Sequence, residues 1–82
     1  MPTARQIQSL SDEERKALER LYRKTKDADV RTRCQMILFS WKGYSVAEIA
    51  KLTLFEEGAV LYWFNRYEAE KIKGLDASQS PS

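Results

Sequence analysis

Side chains able to contact nucleic-acid bases recur along residues 57–66, at the spacing of one helical face. The opposite, inward face of this helix carries an apolar stripe at Val60, Trp63, Phe64 and Tyr67. The outward positions are Glu57, Gly58, Leu61, Tyr62, Asn65 and Arg66. Asparagine can pair with adenine, glutamate can accept from cytosine N4, arginine can bind a phosphate, and tyrosine can contact a phosphate or a thymine methyl group. The pattern predicts noncovalent contact with double-stranded DNA, and the alternative is an ordinary solvated face.

A second group of candidate residues lies around the start of the preceding short helix. Tyr44 and Ser45 come just before it, Lys42 precedes them, and Lys51 lies within the helix. The exposed backbone amides of a helix start can meet a phosphate, and the two lysines could add flanking phosphate contacts. Capping of the helix would by itself explain Ser45. We expect Ser45 to fill both roles.

The sequence offers little for catalysis or metal binding. It contains no histidine and one cysteine, Cys34. A catalytic thiol normally has a histidine partner, and a zinc site needs a cluster of Cys or His ligands. Because Cys34 lies in an apolar helical pattern, we expect it to be a buried hydrophobic residue. We therefore expect no catalytic residue, no metal, no cofactor and no small-molecule substrate.

No segment of the sequence is typical of a membrane span or a signal peptide. The N-terminal stretch MPTARQIQSL has no long apolar run, and the longest plain aliphatic and aromatic run, residues 36–39, is far too short to cross a bilayer. We expect a soluble, cytoplasmic protein with no membrane partner.

The elements that position these residues are helical. A chain of 82 residues with 43% hydrophobic and 32% charged residues predicts one small folded domain. No segment alternates cleanly between apolar and polar residues, so the predicted fold is all-α, a bundle of about four helices with a C-terminal helix-turn-helix. The predicted organisation is a flexible arm over residues 1–10, the DNA-binding domain over 11–73 and a disordered tail over 74–82 that includes Leu75. Arg5 in the arm is a further candidate, for a minor groove.

Helix boundaries are indicated by capping patterns. Ser11 and Ser45 each precede a glutamate by three residues, which predicts two capping boxes. The first helix is expected from about residue 12 to 24 and the second from 28 or 29 to 42, before Gly43. The third follows Ser45, and the fourth runs from about 56 to 72, with Gly74 ending it.

Two further apolar stripes, together with the inward stripe of the fourth helix described above, predict the core. The second helix contributes Val30, Cys34, Ile37, Leu38 and Trp41, and the third contributes Val46, Ile49 and Ala50. Met36 and Phe39 lie off the main stripe. They either pack on the first helix, which we favour, or form an exposed contact patch.

Leu54 stands in the turn of the helix-turn-helix, where many such units have glycine. A left-handed backbone is strained for leucine, so we expect a turn of different geometry.

Charge is divided unevenly along the sequence. Residues 1–43 hold ten Lys/Arg against six Asp/Glu, whereas residues 44–82 hold four against six. The positive charge therefore lies outside the proposed reading unit, which counts against a strong electrostatic footprint from that unit. The basic clusters at residues 23–26 and 31–33 are expected to be solvated surface.

Four segments together resemble the N-terminal domain of bacterial insertion-sequence transposases of the Tc/mariner superfamily. They are LSDEERKALERL, RTRCQMIL, GYSVAEIAKLT and WFNRYEAEKIKGL. The resemblance implies a homeodomain-like helical bundle that recognises terminal inverted repeats, with the three metal-binding acidic residues on a separate catalytic domain. We expect this chain by itself neither to cleave nor to join DNA.

Two functions remain open at this point. The first is sequence-directed binding of double-stranded DNA, with a weak homodimer as a further possibility. The second is a protein-interaction or dimerisation module that has kept the fold and lost tight DNA binding. The acidic half of the sequence favours the second, and the four-segment resemblance favours the first.

Overall fold

The computed structural model of the protein describes residues 10–76. Its five helices are α1 (Asp12–Lys24), α2 (Ala28–Trp41), α3 (Val46–Thr53), α4 (Glu57–Glu70) and α5 (Ile72–Leu75). No strand occurs in this part of the chain, so the all-α prediction is confirmed. The predictions for residues 1–9, including Arg5, and for residues 77–82 lie outside the described residues.

Both predicted capping boxes are present. The backbone N–H of Glu14 donates to Ser11 Oγ at 3.0 Å, and the N–H of Ser11 donates to the Glu14 carboxylate at 3.0 Å. The same reciprocal pair joins Ser45 and Glu48 at 3.1 and 2.9 Å. The hydrogen bond from the Ser11 backbone N–H and the nearby Lys71 ammonium both lower the pKa of the Glu14 carboxyl group. These local bonds explain why the starts of α1 and α3 could be predicted from sequence.

Helix α2 is the centre of the bundle, and α1, α3, α4 and α5 all pack against it. The three residues of α3 that the sequence analysis placed in the core are all buried. Met36 is fully buried, and Phe39 is half-buried beside the Tyr44 ring at 5.1 Å between centroids, so packing prevails over an exposed patch. Leu38, Trp41 and Trp63 are only half-buried, because their stripes reach the edge of the core.

The turn between α3 and α4 does have a left-handed residue, contrary to our expectation. Leu54 adopts φ 62° and ψ 33°. Its own N–H and that of Phe55 both donate to the Ala50 carbonyl, which closes the end of α3. The conformation costs a leucine about 1–2 kcal/mol, and the surrounding hydrogen bonds and packing must hold it in place.

The C-terminal end also differs from the prediction. Helix α4 ends at Glu70, and Lys71, at φ 58°, redirects the chain into α5. Gly74 lies against α4, where a Cβ atom would come within 2.6 Å of the Arg66 carbonyl oxygen. Leu75, assigned by the sequence to a disordered tail, is fully buried. No local sequence pattern predicts the burial of this leucine. Its packing against the core makes α5 part of the domain.

Candidate nucleic-acid interface

Helices α3 and α4 and the turn at Leu54 form a helix-turn-helix that rests on α2. Val60, Phe64 and Tyr67 bury one side of α4, so its other side is turned outward by the helical repeat. At the start of α4, Glu56 occupies the cap position without a side-chain capping bond. The unit therefore presents one uncapped helix start and one continuous outer face.

The outer face of α4 brings together most of the side chains predicted to contact DNA. Glu57, Gly58 and Asn65 are exposed. Leu61 and Tyr62 are exposed by 36% and 50%, which is high for large apolar groups. The inward stripe fixes the outward direction of these side chains, and for this reason the face was predictable.

Arg66, which the sequence analysis predicted to contact a phosphate, already has partners on α4. Its guanidinium lies on the flank of α4, donates to Tyr62 Oη at 3.2 Å and pairs with Glu70 at 3.4 Å. The bond to Tyr62 and the charge of Glu70 raise the pKa of Arg66. The Tyr62 ring is also held edge-on against Trp63, 4.8 Å between centroids. The outer face thus carries a Tyr62–Arg66–Glu70 network in which part of the arginine's charge is already neutralised.

The start of α3 combines attractive and repulsive features for a phosphate. Ser45 is the cap, as predicted, but it brings the Glu48 carboxylate to the same helix end. Tyr44 is 39% exposed and lines a shallow groove with Glu48, Lys51 and Leu52. Lys51 therefore shares a surface with Tyr44, whereas Lys42 lies at the end of α2 and is exposed.

Charge on the helix-turn-helix is negative. Residues 45–70 contain five glutamates and two cations, Lys51 and Arg66. Phosphate binding gains most of its sequence-independent strength from Lys and Arg. The exposed face of α4 therefore carries side chains of types that can contact bases, but little positive charge for a phosphate backbone.

Arg33 is a residue whose role the sequence analysis missed. It was expected to be solvated, but its guanidinium lies over the Trp63 ring, 4.0 Å from the centroid. It also donates to the Leu75 carbonyl at 3.1 Å, so it links α2 to α4 and α5. Its position three residues after Val30 and four before Ile37 placed it on the buried face, and this spacing was the available signal. Arg31 is likewise engaged, donating to the Thr25 carbonyl at 3.0 Å.

Cys34 is buried, as predicted, and burial raises the pKa of its thiol to about 12. Within residues 10–76 no group of three or more Cys, Asp or Glu side chains is arranged to hold a metal ion. In the same part of the chain, no helix has the length and apolar character required to span a bilayer.

These features define a class, the small all-α domains built on a helix-turn-helix. The family model described as "Putative ATPase subunit of terminase (gpP-like)" matches residues 29–82. This match covers more than half of the chain and includes α3 and α4, and the chain belongs to this terminase family. No curated protein and no solved structure matches the chain. The match is to a terminase family, so it lends no support to a transposase in particular.

Proposed function

We propose that this chain is a DNA-binding module of a terminase, which binds double-stranded DNA through α3 and α4. The observation that carries the proposal is the exposed α4 face with Leu61, Tyr62 and Asn65, on a helix-turn-helix in a terminase family. That family supports a DNA-binding role related to packaging. The target would then be a site on the DNA to be packaged.

In the proposed complex α4 enters the major groove, as the second helix of a helix-turn-helix does. Asn65 would pair with adenine, Leu61 would contact a thymine methyl group, and Glu57 would accept from cytosine N4. Arg66 would exchange its bond to Glu70 for one to a phosphate. Tyr44 and the start of α3 would approach the backbone on one side.

The proposal assigns DNA contact, and not ATP hydrolysis, to these 82 residues. A phosphate-binding loop of the form G-x-x-x-x-G-K-S/T needs two glycines five residues apart. The three glycines of the sequence are at positions 43, 58 and 74. A transposase end-recognition domain would bind DNA in the same way, but its target would be terminal inverted repeats.

Selection from a randomised duplex library, followed by gel shifts, tests this function. Asn65→Ala should weaken binding to the selected site by about 1–3 kcal/mol, because one bidentate base contact is lost, and should change binding to scrambled DNA little. Gln35→Ala on α2 is the matched amide control and should leave both unchanged. Failure of the parent domain to shift any duplex at low salt would reject the proposal. A selected sequence that also occurs as the terminal inverted repeats of a mobile element would favour a transposase over a terminase.

A protein-binding role is the second candidate, because all the exposed large hydrophobic residues of the described part lie in the helix-turn-helix half. They are Tyr44, Leu52, Leu54, Leu61 and Tyr62. Apolar surface of this kind also supports weak self-association. Sedimentation at increasing protein concentration in high salt tests it. A dimer abolished by Leu61→Ser, combined with no DNA binding, would favour this role, and a strict monomer would leave DNA as the explanation.

A further inference from the structure

The outward face of α1 carries a row of cations. Lys16, Arg20, Arg23 and Lys24 are exposed and follow one another at i, i+4, i+7 and i+8, which places them on one side of the helix. Lys26 extends the row into the following loop. Residues 15–26 hold six Lys/Arg side chains and one carboxylate, that of Glu19.

Only part of this charge is paired within the described fold, although residues 12–14 and 27–29 add five carboxylates on either side of the row. Glu19 is bound to Arg15 at 3.1 Å and lies 4.0 Å from Arg23. In the described part of the chain, Lys16, Arg20 and Lys24 form no ion pair. Like charges at i, i+4 repel in a helix. A ligand of opposite charge would relieve this repulsion.

The inner side of α1 packs against the hydrophobic core. Leu18 is fully buried, and Leu21 and Tyr22 pack partly against the core. An amphipathic helix that binds a membrane surface inserts its apolar face into the lipid. Here that face is occupied, so the available surface of α1 is cationic and polar. This chemistry fits a polyanion that stays in water.

We propose that the α1 face binds the phosphate backbone of duplex DNA and supplies the sequence-independent affinity that the acidic helix-turn-helix lacks. This inference rests on the proposed DNA-binding function and divides it between two helices. From Lys16 to Lys24 the helix rises by about 12 Å. Along the axis of a DNA duplex, one strand has a phosphate about every 3.4 Å. The length of the row therefore corresponds to three to four phosphates of one strand.

The test neutralises the row in the variant K16Q/R20Q/R23Q/K24Q and measures DNA affinity by surface plasmon resonance between 50 and 300 mM salt. Loss of three to four phosphate contacts should reduce the slope of log K against log salt by about 3, since each contact contributes about 0.9. Selected and scrambled duplexes should be weakened by the same factor. Discrimination between them should therefore be retained, while Asn65→Ala should reduce it. Circular dichroism confirms that the variant is folded.

Two controls separate charge at this face from net charge. The variant K16R/R20K/R23K/K24R keeps the charge and should keep the salt slope. The pairs R20Q/K24Q and K71Q/K73Q change net charge equally, and only the first should reduce the slope by about 2. An unchanged slope in the quadruple variant, or an equal reduction by K71Q/K73Q, overturns the inference.

Failure of this inference can be told apart from failure of the proposed function. If Asn65→Ala reduces discrimination while the quadruple variant keeps the parental slope, α4 reads DNA and α1 does not bind it. A parent domain that binds no duplex rejects both. Binding through α1 to vesicles of 30% phosphatidylserine, together with no α1-dependent binding to DNA, overturns the inference in favour of a membrane surface.

Discussion

Leu54 combines two features that are each unfavourable for a leucine. Its backbone is left-handed at φ 62°, and its side chain is 91% exposed. The side chain therefore gains little from burial to offset the backbone strain. The conformation is imposed by the closure of α3 at the Ala50 carbonyl and by the direction in which α4 must leave the turn.

Leu54→Gly should raise the free energy of unfolding by about 0.5–1 kcal/mol. Relief of about 1–2 kcal/mol of strain outweighs the added freedom of glycine in the unfolded chain. Urea unfolding followed by circular dichroism measures the change. Leu52→Gly is the matched control in an ordinary helical position of α3, and it should lower stability by about 1 kcal/mol. Destabilisation by both variants would show that the Leu54 side chain makes a stabilising contact.

At the scale of elements, some helix boundaries are set by local sequence signals and others by tertiary packing. The starts of α1 and α3 were predictable because a serine and a glutamate three residues later satisfy each other's backbone groups. The end of α4 was not, because it depends on Lys71 at positive φ and on Leu75 reaching the core. Neither requirement leaves a periodic pattern in the sequence.

Two glycines should respond oppositely to alanine. At Gly58, near the start of α4, an added Cβ meets nothing within 4 Å, so Gly58→Ala should stabilise the isolated domain by about 0.5–1 kcal/mol. At Gly74 the added Cβ would lie 2.6 Å from the Arg66 carbonyl oxygen, and Gly74→Ala should destabilise it by about 1–3 kcal/mol. Thermal unfolding of the two variants measures both shifts. Equal effects would mean that α5 does not hold this close approach in solution.

Across the whole molecule, charge and exposed apolar surface are separated. Six cations of residues 15–26 lie on and just beyond α1, whereas residues 45–70 hold five glutamates against two cations, and the exposed large hydrophobics of the described residues lie in the helix-turn-helix half. The sequence indicated this division and the outward face of α4, because both follow from counting and from helical periodicity. It did not indicate that Arg66 would be bound to Tyr62 and Glu70, or that Arg33 would stack on Trp63. Those pairings depend on side-chain geometry and on how the helices pack.

Global stability should fall in alkaline solution. Burial raises the pKa of Cys34 from 9.0 to about 12 and that of Tyr67 from 10.0 to about 12. Above the ordinary pKa of each group the unfolded chain releases a proton that the folded chain keeps, so unfolding becomes easier as pH rises. Urea titrations at pH 8 and pH 10.5 measure the loss. The Cys34→Ala variant should be less stable than the parent at pH 8, but its free energy of unfolding should fall less between pH 8 and pH 10.5. An equal fall in both proteins would show that other groups cause the loss.

The contacts of Trp63 with Arg33 and Tyr62 make it an optical reporter for the outer face of α4. The Arg33 guanidinium lies 4.0 Å from the Trp63 ring centroid, and the ring of Tyr62, half exposed on the outer face, lies 4.8 Å from it in an edge-on contact. Trp41, the other tryptophan, lies at the end of α2 beneath Arg15. In a Trp41→Phe variant, fluorescence would come from Trp63 alone. A ligand that covers Tyr62 should shield this emission from iodide, whereas a ligand confined to α1 should leave the quenching unchanged.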